Sequence, residues 1–295
     1  MIERFLNPSV LSGLSSLELV ARTVVDGFVS GLHRSPDFGF SQEFAEYRAY
    51  TEGDDLRHVD WNVYARSEKI VIKRFHGETN SQLTVILDAS ASMGFGAKGV
   101  SKMDYARYLT ASIVYMANLQ RDAYGVIVFD DDIRSYVQPS SRQGQLYRVL
   151  HALDHAEPKA RTDYAKPFHH FQQFHRRRGI TAVISDFWES PKTIVDAISP
   201  LRFRGNDVVM FHLLDPEEYR PKFTDSVLLV DSETNRTVEV TPDYARTEYG
   251  PKIDAHIETL RSTARASGLD YCQIMTDRPL DAALREYLTL RKGRN

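Results

Sequence analysis

Cysteine is nearly absent from this chain of 295 residues. Cys272 stands alone, which rules out an internal disulfide and any multi-cysteine zinc site and fits a reducing compartment. Long apolar runs are missing as well, none approaching the roughly 20 residues that a membrane-spanning helix needs. The start, Met1-Ile-Glu-Arg-Phe-Leu-Asn-Pro8, carries an acid and no apolar stretch, so it does not read as a secretory signal. The expected location is the cytoplasm, with no membrane span. Charge of one predominant sign is also lacking: 37 basic and 40 acidic side chains leave a formal net charge of −3, with no overall pull toward nucleic acid or an anionic membrane. Signatures of common enzyme classes do not occur. There is no Gly-x-x-x-x-Gly-Lys-[Ser/Thr] phosphate loop and no Gly-x-Ser-x-Gly elbow, and no Gly-x-Gly-x-x-Gly opens a turn directly after a predicted strand.

What is present is ample apolar content, 42% of residues, and one motif that points to a hard cation. The run Leu83-Thr-Val-Ile-Leu-Asp88-Ala-Ser90-Ala-Ser92-Met-Gly94 sets a carboxylate and two hydroxyls at alternate positions after an apolar strand. Asp88, Ser90 and Ser92 can then be aimed at one point by a chain turning out of that strand. Carboxylate and hydroxyl oxygens suit Mg²⁺ or a similar octahedral ion, which keeps several waters and takes few protein ligands. The same residue types also suit a cap or turn. Two later segments can complete a cation site. Gly179-Ile-Thr-Ala-Val-Ile-Ser185 reads as a second buried strand with Asp186 at its exit, and Thr162 offers a hydroxyl from a loop before a predicted helix. Loops at the carboxyl ends of strands in an open α/β sheet line one crevice, so these groups can converge.

In this arrangement the chain resembles the von Willebrand factor A domain and its metal-ion-dependent adhesion site. That pattern is Asp-x-Ser-x-Ser, a distant Thr and an Asp after a later strand, and it falls on Asp88, Ser90, Ser92, Thr162 and Asp186. The resemblance implies that these five hold Mg²⁺ or Mn²⁺. Two departures are visible: Arg161 precedes the Thr where the family commonly has Gly, and Ser185-Asp186-Phe187 stands where Thr-Asp-Gly is frequent. A second stretch, Glu43-Phe-Ala-Glu46-Tyr-Arg48-Ala-Tyr50-Thr-Glu-Gly53-Asp54-Asp55-Leu-Arg57-His-Val-Asp60-Trp61-Asn-Val-Tyr-Ala65-Arg66, resembles the signature of the bacterial domain-of-unknown-function 58 family (DUF58). There the segment precedes a von Willebrand A-like domain, as here. The resemblance implies company with a MoxR-type AAA+ ATPase.

The alternation of strands and helices predicts an α/β fold, a mostly parallel sheet with helices on both faces, preceded by an N-terminal helix and a small β segment, and the resemblance implies that this sheet is von Willebrand A-like. Residues 1–80 are expected to hold the helix and β segment, and 81–295 the main domain. Ser15-Ser-Leu-Glu18 has a capping-box spacing ahead of a helix over 15–32. Strands are predicted at 45–50 and 69–75 around the Gly53-Asp54-Asp55 turn, then at 82–88, 124–130, 180–185, 207–214 and 270–275, with 133–137 as an antiparallel edge. Helices are predicted at 101–120, 143–155, 163–177, 192–202, 250–267 and 279–290, and a β-hairpin over 226–240.

Other clusters read as structural. Asp130-Asp131-Asp132 is expected to be a solvated turn, and Asp54, Asp55 and Asp60 to form an ion-paired brace with Arg48, Arg57 and Arg66 around a packed Trp61. His151 and His155 have the i, i+4 spacing of a zinc helix but lack its Glu, and read as a solvated face. Arg176-Arg-Arg178 suits the end of a helix. The expected function is divalent-metal-dependent protein binding, in which a partner Glu or Asp closes the shell of an ion left positive by neutral hydroxyl ligands. The alternative is a metal-dependent hydrolase at the same site. A phosphatase of the haloacid-dehalogenase kind is disfavoured, because its second Asp falls where this chain has Ser90.

Overall fold

The computed structural model describes residues 8–32, 44–51, 59–67, 69–75, 82–97, 99–174, 179–203, 205–232 and 236–285. The chain divides into two compact units: residues 1–28 together with 81–295, and residues 29–80. The start of the leading helix therefore belongs with the main unit.

Within 29–80, β1 (Phe44–Ala49) pairs antiparallel with β2 (Val71–Phe75), and α3 (Trp61–Ser67) lies between them in sequence. Trp61 departs from expectation. An extended segment would have put it on one face with Val59 and Val63, but it opens a helix and is 58% exposed, touching Tyr64 edge-on. The cause is Asp60, whose carboxylate accepts from the Val63 N–H at 3.2 Å and so starts a helix in place of an extended run. The Gly53-Asp54-Asp55 turn and Arg57 lie outside the described residues, as do Arg176 to Arg178.

The main unit begins with α1 (Pro8–Leu11) and the part of α2 (Leu17–Leu32) that ends at Phe28, whose Val20, Ala21, Val24, Val25 and Phe28 are buried at helical spacing. Its strands are β3 (Gln82–Asp88), β4 (Ala123–Phe129), β5 (Ile133–Ser140), β6 (Gly179–Ser185), β7 (Asp207–Leu214) and β10 (Asp270–Met275). They form one sheet in the order β10-β7-β6-β3-β4-β5, parallel throughout except for the antiparallel β4–β5 edge. Every residue of β3 is buried, which is why these strands read as continuous apolar runs rather than alternations. The helices are α4 (Lys102–Leu119), α5 (Gln145–Asp154), α6 (Ala165–Phe174), α7 (Pro191–Phe203), α8 (Pro216–Tyr219), α9 (Pro242–Tyr244) and α10 (Gly250–Ala266), and residues 280–285 are helical. One core cluster joins α6, α7 and α10 through Phe168, Phe171, Ile194, Ile198, Ile257 and Leu260 to β3, β6 and β7. The predicted hairpin is β8 (Val227–Val230) with β9 (Thr237–Val240), a separate two-stranded sheet.

The chain leaves β3 for β4 on one side and later returns to β6 on the other. The carboxyl ends of β3 and β6 thus flank the point where strand order reverses, the crevice in which open α/β sheets place their sites.

Candidate functional site

Asp88 is the last residue of β3 and is fully buried. Its Oδ1 accepts from the Ser90 N–H at 2.8 Å, and its Oδ2 accepts from the Ser185 hydroxyl at 2.6 Å, with the Tyr164 hydroxyl oxygen 3.4 Å away. Ser185 gives its only proton to Asp88, so its oxygen accepts from the Tyr164 hydroxyl at 2.7 Å and from the Phe187 N–H at 2.9 Å. All these donors are neutral. Burial and the neighbouring Asp186 charge accordingly push the Asp88 carboxyl up to about 7, and only in part do the Ser185 and Ser90 hydrogen bonds offset this.

After β3 the chain makes a tight 3₁₀ turn, Ala91–Gly94, which brings the Ser90 and Ser92 hydroxyls to 3.0 Å of each other. The loop bearing Thr162 runs alongside. The Ala160 carbonyl accepts from the Ala91 N–H at 2.7 Å, and the Asp163 N–H donates to the Asp130 carbonyl at the end of β4 at 3.1 Å. Both flanks of Thr162 are therefore tied to the ends of β3 and β4.

Asp186, following β6, meets a different environment. The Lys102 ammonium, on the first residue of α4 and with no exposure at all, lies 2.7 Å from Asp186 Oδ2 and 2.8 Å from both oxygens of Glu218 on α8. Burial works against the ammonium, but Asp186 and Glu218 together more than offset it and hold its pKa above the ordinary lysine range. The Trp188 indole N–H adds a bond to Glu218 at 3.1 Å. Phe187, between these two groups, is a buried non-glycine residue at φ +50°, where the resembled pattern has Gly. Its ring packs on Tyr164 and His212 at 6.1 and 5.6 Å, and this burial offsets the strain of the left-handed backbone.

Of the five residues expected to hold metal, Asp88, Ser90 and Ser92 are thus drawn together, Thr162 lies in a loop pinned beside them, and Asp186 has one carboxylate oxygen engaged by Lys102. Among the described residues no group of three or more His, Cys, Asp or Glu is placed to hold a metal ion. A cation here must rely on hydroxyl oxygens, and the donor set suits one: two adjacent hydroxyls next to a buried carboxylate to which no charged donor among the described residues is bonded. Sequence reasoning missed Lys102, Glu218, Ser185 and Tyr164. A Ser101 capping box does mark the start of α4, with the Asp104 N–H donating to the Ser101 hydroxyl at 3.0 Å, but nothing local reveals that the next side chain is buried.

The remaining clusters sort plainly. Gly94-Phe-Gly96-Ala-Lys-Gly99 does hold a Gly-x-Gly-x-x-Gly spacing, placed beyond the 3₁₀ turn rather than directly after the strand. A Cβ on Gly96 would meet the Ser101 backbone at 2.5 Å, so close chain packing accounts for that glycine. Asp130 corrects the expectation of a solvated turn. It is 2% exposed and takes the Arg134 guanidinium on both oxygens, at 2.7 and 2.6 Å, while Asp132 pairs with Lys166 at 2.6 Å. His151 and His155 are exposed and stack at 4.2 Å, with the His155 Nδ1 turned to the His151 carbonyl, an arrangement for stacking rather than chelation. No helix among the described residues is long and apolar enough to cross a membrane.

Comparison with known proteins adds a family. The model of "Protein of unknown function DUF58" matches residues 46–259. The uncharacterized protein Rv1480 of Mycobacterium tuberculosis is 26% identical, over 97% of this chain and 91% of its own length. Among solved structures, the conserved hypothetical protein BatB from Bacteroides thetaiotaomicron is similar, with TM-score 0.49 and 17% identity over 72% of this chain and 99% of that one. The SpRpn10 VWA domain is similar with TM-score 0.40 and 10% identity, over 70% of this chain and 94% of that one.

Proposed function

Because the chain belongs to the DUF58 family, which carries no assigned activity, we propose its function from the site itself: a protein-interaction module that binds its partner through a divalent ion. The observation that carries this reading is the buried Asp88 carboxylate, answered among the described residues by neutral donors and set beside the paired Ser90 and Ser92 hydroxyls. Asp88, Ser90 and Ser92, with Thr162 and Asp186 at the margin, would hold Mg²⁺ or Mn²⁺. When bound, the ion supplies a positive centre with replaceable waters, to which a Glu or Asp of a partner can add. Around it the chain's own residues do simple work. Ser185 and Tyr164 orient the Asp88 carboxylate, and the Ser90 N–H fixes its other oxygen.

Binding is favoured over metal-assisted hydrolysis because hydrolysis needs a base beside the attacking water. In this reading Asp88 is committed to the ion, and Asp186 is paired to an ammonium, so neither carboxylate is free to serve as that base. We take the partner to be a MoxR-type AAA+ ATPase and the location to be the cytoplasm, as the family resemblance suggests. Co-purification from the native host with and without chelator, followed by mass spectrometry, tests this. Recovery of such an ATPase that is lost in chelator and in Asp88→Ala with Ser92→Ala is expected. Equal recovery in chelator rejects the metal bridge, and recovery of no ATPase rejects the partner.

A further inference from the structure

One charged group near the site has no part in the reading above. Lys102 is a lysine with no solvent exposure, and its ammonium lies between two carboxylates from distant parts of the chain, Asp186 at 2.7 Å and Glu218 at 2.8 Å. Such a placement is costly unless every proton finds an acceptor, and here the acceptors are charged. Asp186 directly follows Ser185, whose hydroxyl donates to Asp88 Oδ2 at 2.6 Å, so the chain carries it next to the residue that holds the Asp88 carboxylate. Asp186 is thus engaged by a resident protein cation while its neighbour in the chain bonds the carboxylate at the candidate metal position.

We propose that Lys102 acts as a resident cation that holds Asp186 back from the coordination shell and so limits an ion bound at Asp88, Ser90 and Ser92 to one protein carboxylate. The inference rests on the metal reading and extends it. An ion with one carboxylate and neutral hydroxyls keeps most of its positive charge, which lowers its affinity for the free protein and leaves it available to an acid from outside. With Asp186 released, a second carboxylate would enter the shell, the ion would bind more tightly, and its pull on an external carboxylate would weaken. Lys102 is thus a positioning residue, trading resting metal affinity for partner affinity.

The test is a calorimetric titration of the full chain with MnCl₂, and separately with MgCl₂, in six forms: wild type, Glu218→Gln, Lys102→Met with Glu218→Gln, Asp186→Asn, Asp186→Asn in the double variant, and Asp88→Ala, in which binding should be lost. The Lys102→Met/Glu218→Gln variant removes one positive and one negative charge, so the local net charge is unchanged and a change in affinity reports the freedom of Asp186. It should bind Mn²⁺ at least about tenfold more tightly than wild type. Glu218→Gln alone, which leaves Lys102 on Asp186, should bind no more tightly than wild type. Asp186→Asn should then cost more affinity in the double-variant background than in wild type, a coupling that general loosening of the fold would not produce. A double variant that binds no more tightly than wild type overturns the proposal, as does Glu218→Gln giving the full gain by itself. Thermal melting in chelator reports folding, and if Met is not accepted, Lys102→Gln with Glu218→Gln keeps hydrogen-bonding groups and serves in its place. The wild-type titration separately decides the metal reading. If wild type shows no binding but the double variant does, the resident cation is supported and the metal reading for the natural protein fails. If neither binds, both fail.

Discussion

Two carboxylates at the ends of neighbouring parallel strands, Asp88 after β3 and Asp186 after β6, are both almost wholly buried and are treated in opposite ways. Asp186 meets an ammonium at 2.7 Å, shared with Glu218. Asp88 meets a backbone N–H and the Ser185 hydroxyl and, among the described residues, no hydrogen bond from a cationic side chain. Burial costs a carboxylate its hydration in either place. At Asp186 the chain supplies the compensating charge itself. At Asp88 it supplies hydrogen bonds only, and burial with the Asp186 charge pushes the carboxyl up to about 7. The contrast separates a structural ion pair from a buried acid held by hydrogen bonds, the group on which the proposed metal reading rests, although both begin as an acid at the end of an apolar strand.

The largest expected effect comes from breaking the Asp186 side of this contrast. Lys102→Met by itself leaves Asp186 and Glu218 without their counter-charge, and removal of one partner from a buried pair costs about 3–5 kcal/mol. Urea denaturation followed by circular dichroism should show this loss, and should return part of it when Glu218→Gln is added. A loss below about 1 kcal/mol would mean that water reaches these carboxylates and that the two acids do not differ as described.

The Asp88 side predicts a pH dependence. Its pKa is raised from 3.8 to about 7 on folding, so the unfolded chain loses this proton first as pH rises. The folded state is therefore favoured below about pH 4 and loses that advantage progressively as pH climbs to about 7. Above that, the ionised buried Asp88 costs on the order of 4 kcal/mol relative to a group that cannot ionise. His212 runs the other way: burial, with the nearby His256 and Lys102, lowers its pKa to about 3, and it favours the folded state above about pH 6.5. The difference between wild type and Asp88→Asn isolates the carboxyl. In chelator, the stability of wild type minus that of Asp88→Asn should fall from pH 4 to pH 7. Saturating Mg²⁺ should flatten that fall, because a cation stabilises the charged form. A difference that is level with pH in chelator would show Asp88 to be compensated as fully as Asp186.

Much of this architecture is legible in the chain alone, and the reason is burial on both faces. Strands such as Ala123–Phe129 and Gly179–Ser185 are dominated by apolar residues and bounded by polar ones, and they occur where the patterning predicts them. The Asp88, Ser90 and Ser92 grouping is equally legible, because it lies within five consecutive residues. What stayed hidden is long-range. Ser185 reaches Asp88 across 97 residues, and Lys102 reaches Glu218 across 116, so no local period marks either contact. A lysine in the first turn of a helix ordinarily reads as solvated, and Glu218 sits on a four-residue helix too short to carry a periodic signal. Trp61 failed for another reason. An alternating apolar pattern competed with the Asp60 helix cap, and the cap prevailed.

Removing the hydroxyl that links the two strand ends gives a smaller effect. Ser185→Ala takes away the 2.6 Å donor to Asp88 and the acceptor for the Phe187 N–H and the Tyr164 hydroxyl, leaving buried groups unsatisfied. A cost of about 1–3 kcal/mol is expected in the same denaturation assay. A sharper sign is the carboxyl itself: without its best donor Asp88 should take up its proton at a still higher pH, and the stability difference from Asp88→Asn should extend upward in pH. No change in that window would mean that Ser185 packs against Asp88 without supporting its charge.

The smallest effect belongs to the outer rim of the Asp186 network. Trp188 is 38% exposed, stacks on His256 at 5.6 Å, and gives its indole N–H to Glu218 at 3.1 Å. Trp188→Phe keeps an aromatic ring in that stack and removes only the donor. Glu218 retains both contacts to Lys102, so the change should cost less than about 1 kcal/mol and leave metal affinity within about twofold of wild type. A loss as large as that of Lys102→Met would move the centre of the network from the ammonium to the indole. In that case the protein-supplied positive charge would no longer be what distinguishes Asp186 from Asp88.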